Sequence, residues 1–199
     1  GCSARRPPSR AGTISRVVLI TSCCSRSCST ALFHRYTEVI AGSTLLDTIT
    51  GEVLPNWGIA IDGDRIAAVG HVARHAGPRT AVISAQGMTL APGFVDAHYH
   101  CESSRLSAHR HAEVTLPMGL TAYFEGTHEI TNAFGGLPGV EYFVDAGRRL
   151  PQKIYPCVSS ATPPSPVETT SGHIGYRETA LAFERWPDEA RGIDEVMDL

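Results

Sequence analysis

The chain has 199 residues, a net charge of −3 and a charged fraction of 19%. That balance carries neither the basic patch of a nucleic-acid binder nor the positive charge that anionic membranes attract, so neither partner is expected. No apolar run approaches the roughly 20 residues that a spanning helix needs, and an apolar fraction of 42% fits a globular chain. The cysteines (Cys2, Cys23, Cys24, Cys28, Cys101 and Cys157) lack the regular spacing of a disulfide scaffold. They point to a reducing, cytoplasmic setting.

Residues 1–37 contain no Asp or Glu and six arginines, with much Ser and Cys. This composition suits a disordered basic leader, and organellar targeting is the rival reading. The Cys23, Cys24 and Cys28 cluster has the ligands for a soft metal but lacks a second matched pair.

Residues 38–91 read as β-structure. Val39-Ile40, Leu45-Leu46, Gly58 to Ile61 and Arg65 to Val69 are short apolar or alternating runs. Gly51, Pro55-Asn56, Asp62-Gly63-Asp64 and Gly70 punctuate them as turns. The stretch from Ile61 to Ile66 is a hairpin signal.

From Pro92 onward strand and helix patterns alternate, which predicts an α/β fold with a parallel sheet or barrel. Strands are expected over Phe94–His98, Thr121–Phe124, Lys153–Val158 and Gly192–Met197. Helices are expected over Leu106–Leu116, Val140–Leu150 and Arg177–Arg185, the last ended by Trp186-Pro187.

The first of these strands carries the chemistry. Phe94, Val95 and Ala97 form an apolar run behind a Pro92-Gly93 turn, and residues i and i+2 of a strand share a face. His98 and His100 therefore project together, as two imidazoles able to hold one divalent metal. Asp96, one step earlier on that face, is placed to fix a ring tautomer. A His-x-His pair more often lies on a surface or in a core than on a metal, so the context must decide. His109 and His111 form a second such pair, but on a helix positions i and i+2 diverge by about 200°. They are expected on a solvated helix face. Cys101 faces away from His100 and reads as a packed thiol.

Pro92 to His100 resembles the first barrel strand of the metal-dependent amidohydrolases. The longer run to Ser104, with Leu116-Pro117 and Gly119-x-Thr121, is similar to the adenine deaminase branch. Three later stretches match that branch in order: His128-Glu129-Ile130; Ala161-Thr162-Pro163 with Glu168-Thr169 and Ser171-Gly172; and Gly192 to Met197. The resemblance implies a (β/α)8 barrel preceded by a small β-sandwich. It implies His98, His100 and Glu195 as metal ligands, with Glu195 bridging two ions, and His128, Glu129 and Glu195 as catalytic groups. The metal would be Mn or Fe, binuclear in the complete enzyme. The reaction would be hydrolysis of adenine, or a related purine, to hypoxanthine and ammonia through a metal-bound hydroxide.

The sequence departs from that pattern at two positions. Gly126 stands where the branch usually carries Asp, and Thr127 stands where it carries Pro. Glu125 is one place off. A complete barrel takes about 250 residues, so residues 92–199 are expected to hold only its first half. The resemblance also calls for histidines from strands five and six and an aspartate from strand eight. A complementary C-terminal half or a homo-oligomer would then be needed, and a non-catalytic fragment or half of a split enzyme is the alternative. Another amidohydrolase acting on cyclic amides is the third reading.

Overall fold

A computed structural model of the chain describes residues 36–197, together with the backbone of one strand, β1 (Val17–Ile20). Apart from β1, the expected basic leader up to residue 35, with the Cys23, Cys24 and Cys28 cluster, lies outside the described residues. The chain divides between Ala91 and Pro92 into two compact units.

The first unit is built on β-strands: β2 (Glu38–Leu46), β3 (Val53–Asp62), β4 (Arg65–Gly70), β5 (Ala81–Ser84) and β6 (Thr89–Pro92). The sheet order is β1-β6-β2-β3-β4, with β5 also pairing β2. β2, β3 and β4 run antiparallel in turn, whereas β5 and β6 lie parallel to β2. The hairpin expected around Gly63 is present. Asp62 pairs with Arg65, and Gly63 takes a φ of 61°, a left-handed value that glycine adopts without steric cost. Tyr36, Val39, Ala60 and Val72 form the buried cluster of this unit.

The second unit is a parallel sheet in the order β10-β9-β8-β7, made of β7 (Phe94–Tyr99), β8 (Leu120–Gly126), β9 (Lys153–Val158) and β10 (Gly192–Ile193). Its helices are α1 (Ala108–Thr115), α2 (His128–Ala133), α3 (Leu137–Arg149) and α4 (Tyr176–Arg185). Most of β8 is buried, as a central parallel strand must be when both faces are covered.

Helix α3 shows how the sequence makes this packing. Pro138 sits in its first turn, where a missing N–H costs nothing, and Arg148 and Arg149 sit in its last turn against the negative end of the dipole. Val140, Phe143 and Val144 recur at helical spacing and are buried. Phe143 joins Tyr123, Ile154, Ala146, Ala108 and Cys101 in one core cluster. Val140 and Val144 join Val158, Ile174, Ala182, Trp186 and Ala190 in a second. At full burial each large apolar side chain here contributes about 1.5–3 kcal/mol.

Several boundaries differ from the sequence reading. Helix α1 starts at Ala108, because the Ser107 side chain caps it by accepting from the Arg110 amide at 3.4 Å. From Leu116 the chain tightens into a 3₁₀ turn that Gly119 ends at a φ of 100°. The strand expected over Gly192–Met197 is regular only at Gly192–Ile193, although the Asp194 amide still bonds the Val158 carbonyl at 2.8 Å.

The second histidine pair also needs correction. His109 is exposed, but His111 is 1% exposed and packs against the rings of Tyr99 and Tyr123. The two do diverge as the helical spacing requires, and one of the two directions is the core. Burial pushes the His111 pKa down, which keeps that ring neutral inside it.

Candidate metal centre

The parallel sheet places the residues that follow its strands at one end, where side chains from β7, β8 and β10 converge. His98 lies near the end of β7 and His100 directly after it. Their Nε2 atoms lie 2.9 Å apart. Glu195, two residues past β10, brings Oε1 to 3.0 Å from His98 Nε2 and 3.9 Å from His100 Nε2. His98, His100 and Glu195 are thus a group whose ligand atoms lie close enough to share one ion.

The orientation of His100 is set by its other nitrogen. Nδ1 lies 3.0 Å from both the Gly126 carbonyl and Glu129 Oε2. Both are acceptors, so Nδ1 carries the proton and Nε2 presents its lone pair to His98 and Glu195. Burial alone would lower the His100 pKa. The charge of Glu129, the Gly126 carbonyl and the charge of Asp194 outweigh it and raise the pKa. Asp96 makes no hydrogen bond to either ring among the described residues. Its Oδ1 accepts from the His98 backbone amide at 3.2 Å, so the expected tautomer-fixing role falls to Glu129 and Gly126 instead.

His128 opens α2, and Glu129 follows it. His128 Nδ1 lies 3.0 Å from Asp194 Oδ2 and 3.8 Å from Glu195 Oε2, and its Nε2 is 3.5 Å from Glu129 Oε2. Ser103 donates to Glu129 Oε1 at 3.0 Å. Asn132 pins this turn in place. Its Nδ2 donates to the His128 and Ala161 carbonyls, both at 2.8 Å. All five site residues expected from the sequence (His98, His100, His128, Glu129 and Glu195) therefore stand at one mouth.

Asp194 is the residue that sequence reasoning missed. Strand alternation sends neighbours to opposite faces, so only one of Asp194 and Glu195 should reach the mouth. Regular strand structure stops at Ile193, and both do. The only signal available was the run of two acids where a parallel strand ends.

The two departures at the end of β8 have physical reasons. A Cβ at position 126 would lie 2.2 Å from His100 Cε1 and 2.7 Å from Asp194 Oδ1, so a glycine is required for these groups to close on the backbone. The Thr127 hydroxyl donates to the Cys157 carbonyl at 2.7 Å and ties β8 to β9. Glu125 does not replace a carboxylate at the mouth. It is fully buried and accepts the Cys101 amide at 3.0 and 3.1 Å. Burial, with a hydrogen bond and charge from Glu102, pushes its pKa up to about 12, so it is protonated at neutral pH. Cys101 is a packed thiol, 1% exposed, with its pKa pushed up to about 11 mainly by burial.

Comparison with known proteins adds the family context. No family model matches the chain. The adenine deaminase of Moorella thermoacetica is 43% identical over 161 residues, covering 80% of this chain and 26% of that protein. The adenine deaminase of Rubrobacter xylanophilus is 41% identical over 165 residues, covering 81% of this chain and 27% of that protein. Among solved structures, a prolidase complexed with N-methylphosphonate-L-proline superposes with a TM-score of 0.50 at 19% identity, over 79% of this chain and 45% of its own. That likeness concerns the fold alone. The chain spans about a quarter of the length of the curated relatives it matches. Within that span, its sequence resembles the adenine deaminases.

Proposed function

We propose that residues 92–197 are the first half of a metal-dependent (β/α)8 barrel, and that the chain takes part in the hydrolysis of adenine to hypoxanthine and ammonia. The observation that carries this reading is the convergence of His98, His100 and Glu195 at the C-terminal ends of parallel strands, where barrel enzymes keep their chemistry. The likeness to adenine deaminases supports the choice of substrate.

The donor set fits a divalent cation. Two imidazole nitrogens 2.9 Å apart, with a carboxylate oxygen 3.0 Å from one of them, form a compact set of nitrogen and oxygen ligands. Borderline ions such as Mn or Fe accept such a set. When bound, the cation supplies water acidified to a pKa of about 7. In this reading His98 and His100 hold the ion, and Glu195 joins them through Oε1. Its Oε2 lies 3.8 Å from His128 Nδ1. Glu129 keeps the His100 Nε2 lone pair aimed at the ion. Glu129 would move a proton from the attacking water to the departing amine, with His128 Nε2 beside it at 3.5 Å. The balance is adenine plus water: a C–O bond forms at C6, the C6–N bond breaks, and the amine leaves as ammonia.

Each edge strand of this sheet, β7 and β10, pairs on one side only among the described residues. Phe94 and Val95 on β7, and Ile193, Val196 and Met197 at and after β10, are exposed. Unpaired edges and apolar side chains of this kind favour further strands as their cover. We therefore place the remaining ligands on a complementary segment. The test is ammonia release from adenine, with metal content measured in parallel. The 199-residue chain is assayed with Mn²⁺ or Fe²⁺, alone and with a polypeptide supplying the remainder of a relative's length. Turnover that needs the complement and is lost in His98→Ala and Glu195→Gln is expected. Turnover that survives both substitutions sinks the reading.

A further inference from the structure

A second group of ligand atoms lies beside the first: those of His100, His128 and Asp194 also come within 4.8 Å of one another. The two groups share His100 but differ in burial. The His98 and Glu195 side chains are 51% and 43% exposed, whereas His128 is 17% exposed and Asp194 is 0% exposed. Asp194 Oδ2 meets His128 Nδ1 at 3.0 Å, but its Oδ1 is buried and has no hydrogen-bond donor among the described residues. A carboxylate oxygen stripped of water and left without a donor is destabilising, and a cation removes that cost. Gly126 adds a second, independent observation. His100 and Asp194 both close on its backbone so tightly that any Cβ there would lie within 2.7 Å of Asp194 Oδ1. The chain has kept the space between these two ligands free of side chain.

We propose that His100, His128 and Asp194 form an inner divalent-cation site, and that the first cation the chain takes up sits there rather than at His98, His100 and Glu195. The inference rests on the reading of this mouth as a cation site and adds which ligands fill first. The physical ground is preorganisation. Folding has already dehydrated Asp194, and Asn132 clamps the turn that carries His128. The inner ligands therefore lose little solvation or freedom on binding, while the exposed His98 and Glu195 lose both. Lower local dielectric also strengthens the attraction between a cation and Asp194.

The test is calorimetric titration of the 199-residue chain with Zn²⁺, in wild type and in Asp194→Asn, His128→Ala, His98→Ala and Glu195→Gln. Far-UV circular dichroism confirms that each variant is folded. Visible absorption of bound Co²⁺, which reports the ligand set, is the second readout. The expected result is a tight site weakened at least about 10-fold by Asp194→Asn and by His128→Ala. His98→Ala and Glu195→Gln should leave it within a factor of about three, with the Co²⁺ spectrum unchanged. If Asp194→Asn fails to fold, His128→Ala carries the comparison. Weakening by His98→Ala or Glu195→Gln that equals or exceeds that of the inner substitutions overturns the inference and leaves the proposed function standing. Wild type that binds neither Zn²⁺ nor Co²⁺ overturns the inference, while the ammonia assay with the complementary polypeptide decides the proposed function.

Discussion

Gly126→Ala tests the site at its tightest point. The added Cβ would lie 2.2 Å from His100 Cε1, 2.7 Å from Asp194 Oδ1 and 2.8 Å from His100 Nδ1. All three separations are shorter than packed atoms tolerate, and the neighbours are a ring and a carboxylate held by their own hydrogen bonds. Overpacking of this kind costs about 1–3 kcal/mol. Turning the His100 ring away also breaks the contacts of Nδ1 with the Gly126 carbonyl and Glu129, worth about 0.5–1.5 kcal/mol each. The overpacking falls on folding stability, while the two lost contacts, about 1–3 kcal/mol together, weaken cation binding by about 10- to 100-fold at tenfold per 1.4 kcal/mol. Zn²⁺ calorimetry gives the affinity, and urea unfolding gives the stability. Gly77→Ala is the control, since its nearest neighbour would be Thr80 Oγ1 at an ordinary 3.7 Å. Gly126→Ala with cation affinity within about twofold of wild type would refute the claim that this backbone position holds the ligands together.

Three other outcomes are expected. Glu125 is protonated when folded, with its pKa raised from 4.5 to about 12. The unfolded chain therefore binds fewer protons across that window, and Glu125 makes stability fall as pH rises by up to about 1.4 kcal/mol per unit. Glu125→Gln, which mimics the protonated form, should flatten urea-unfolding stability between about pH 6 and pH 8; a wild-type slope that survives unchanged contradicts the assignment. Phe143→Ala, at a site 1% exposed in the cluster with Tyr123 and Ile154, should cost about 3–5 kcal/mol in the same assay. A loss below about 1 kcal/mol would mean that this cluster is not a packed core. Cys101 should resist iodoacetamide in the folded chain and react only on unfolding, read by peptide mapping, because its thiol is buried and held well above its ordinary pKa. Rapid native labelling would place it at the surface.

Local pattern was sufficient wherever one residue's direction depends only on its near neighbours. The turn residues around Gly63 marked a hairpin, and the apolar run behind Pro92-Gly93 marked a strand. The alternation of β7 told that His98 and His100 face one way. The ordered motifs from Pro92 to Met197 marked Glu195 and His128 as their companions. The hairpin and the strand alternation follow from covalent geometry and backbone periodicity, which are written residue by residue; Glu195 and His128 were marked by the resemblance of their motifs to a known family.

Contacts across the sheet obey a different rule. Whether Asp194 reaches His128 depends on where β10 loses its register against β9, and that depends on pairing between positions 35 residues apart. Alternation from Asp96 is interrupted by a register shift between Asp96 and Tyr99, and the His100 tautomer is set from β8 and α2 by Gly126 and Glu129. His111 carries a polar ring that composition sends to water, and the packing of Tyr99 and Tyr123 takes it into the core. Periodicity in the chain settles which way a side chain points. Only tertiary packing settles what it meets there, because burial, hydrogen-bond partners and pKa shifts come from groups far away in sequence.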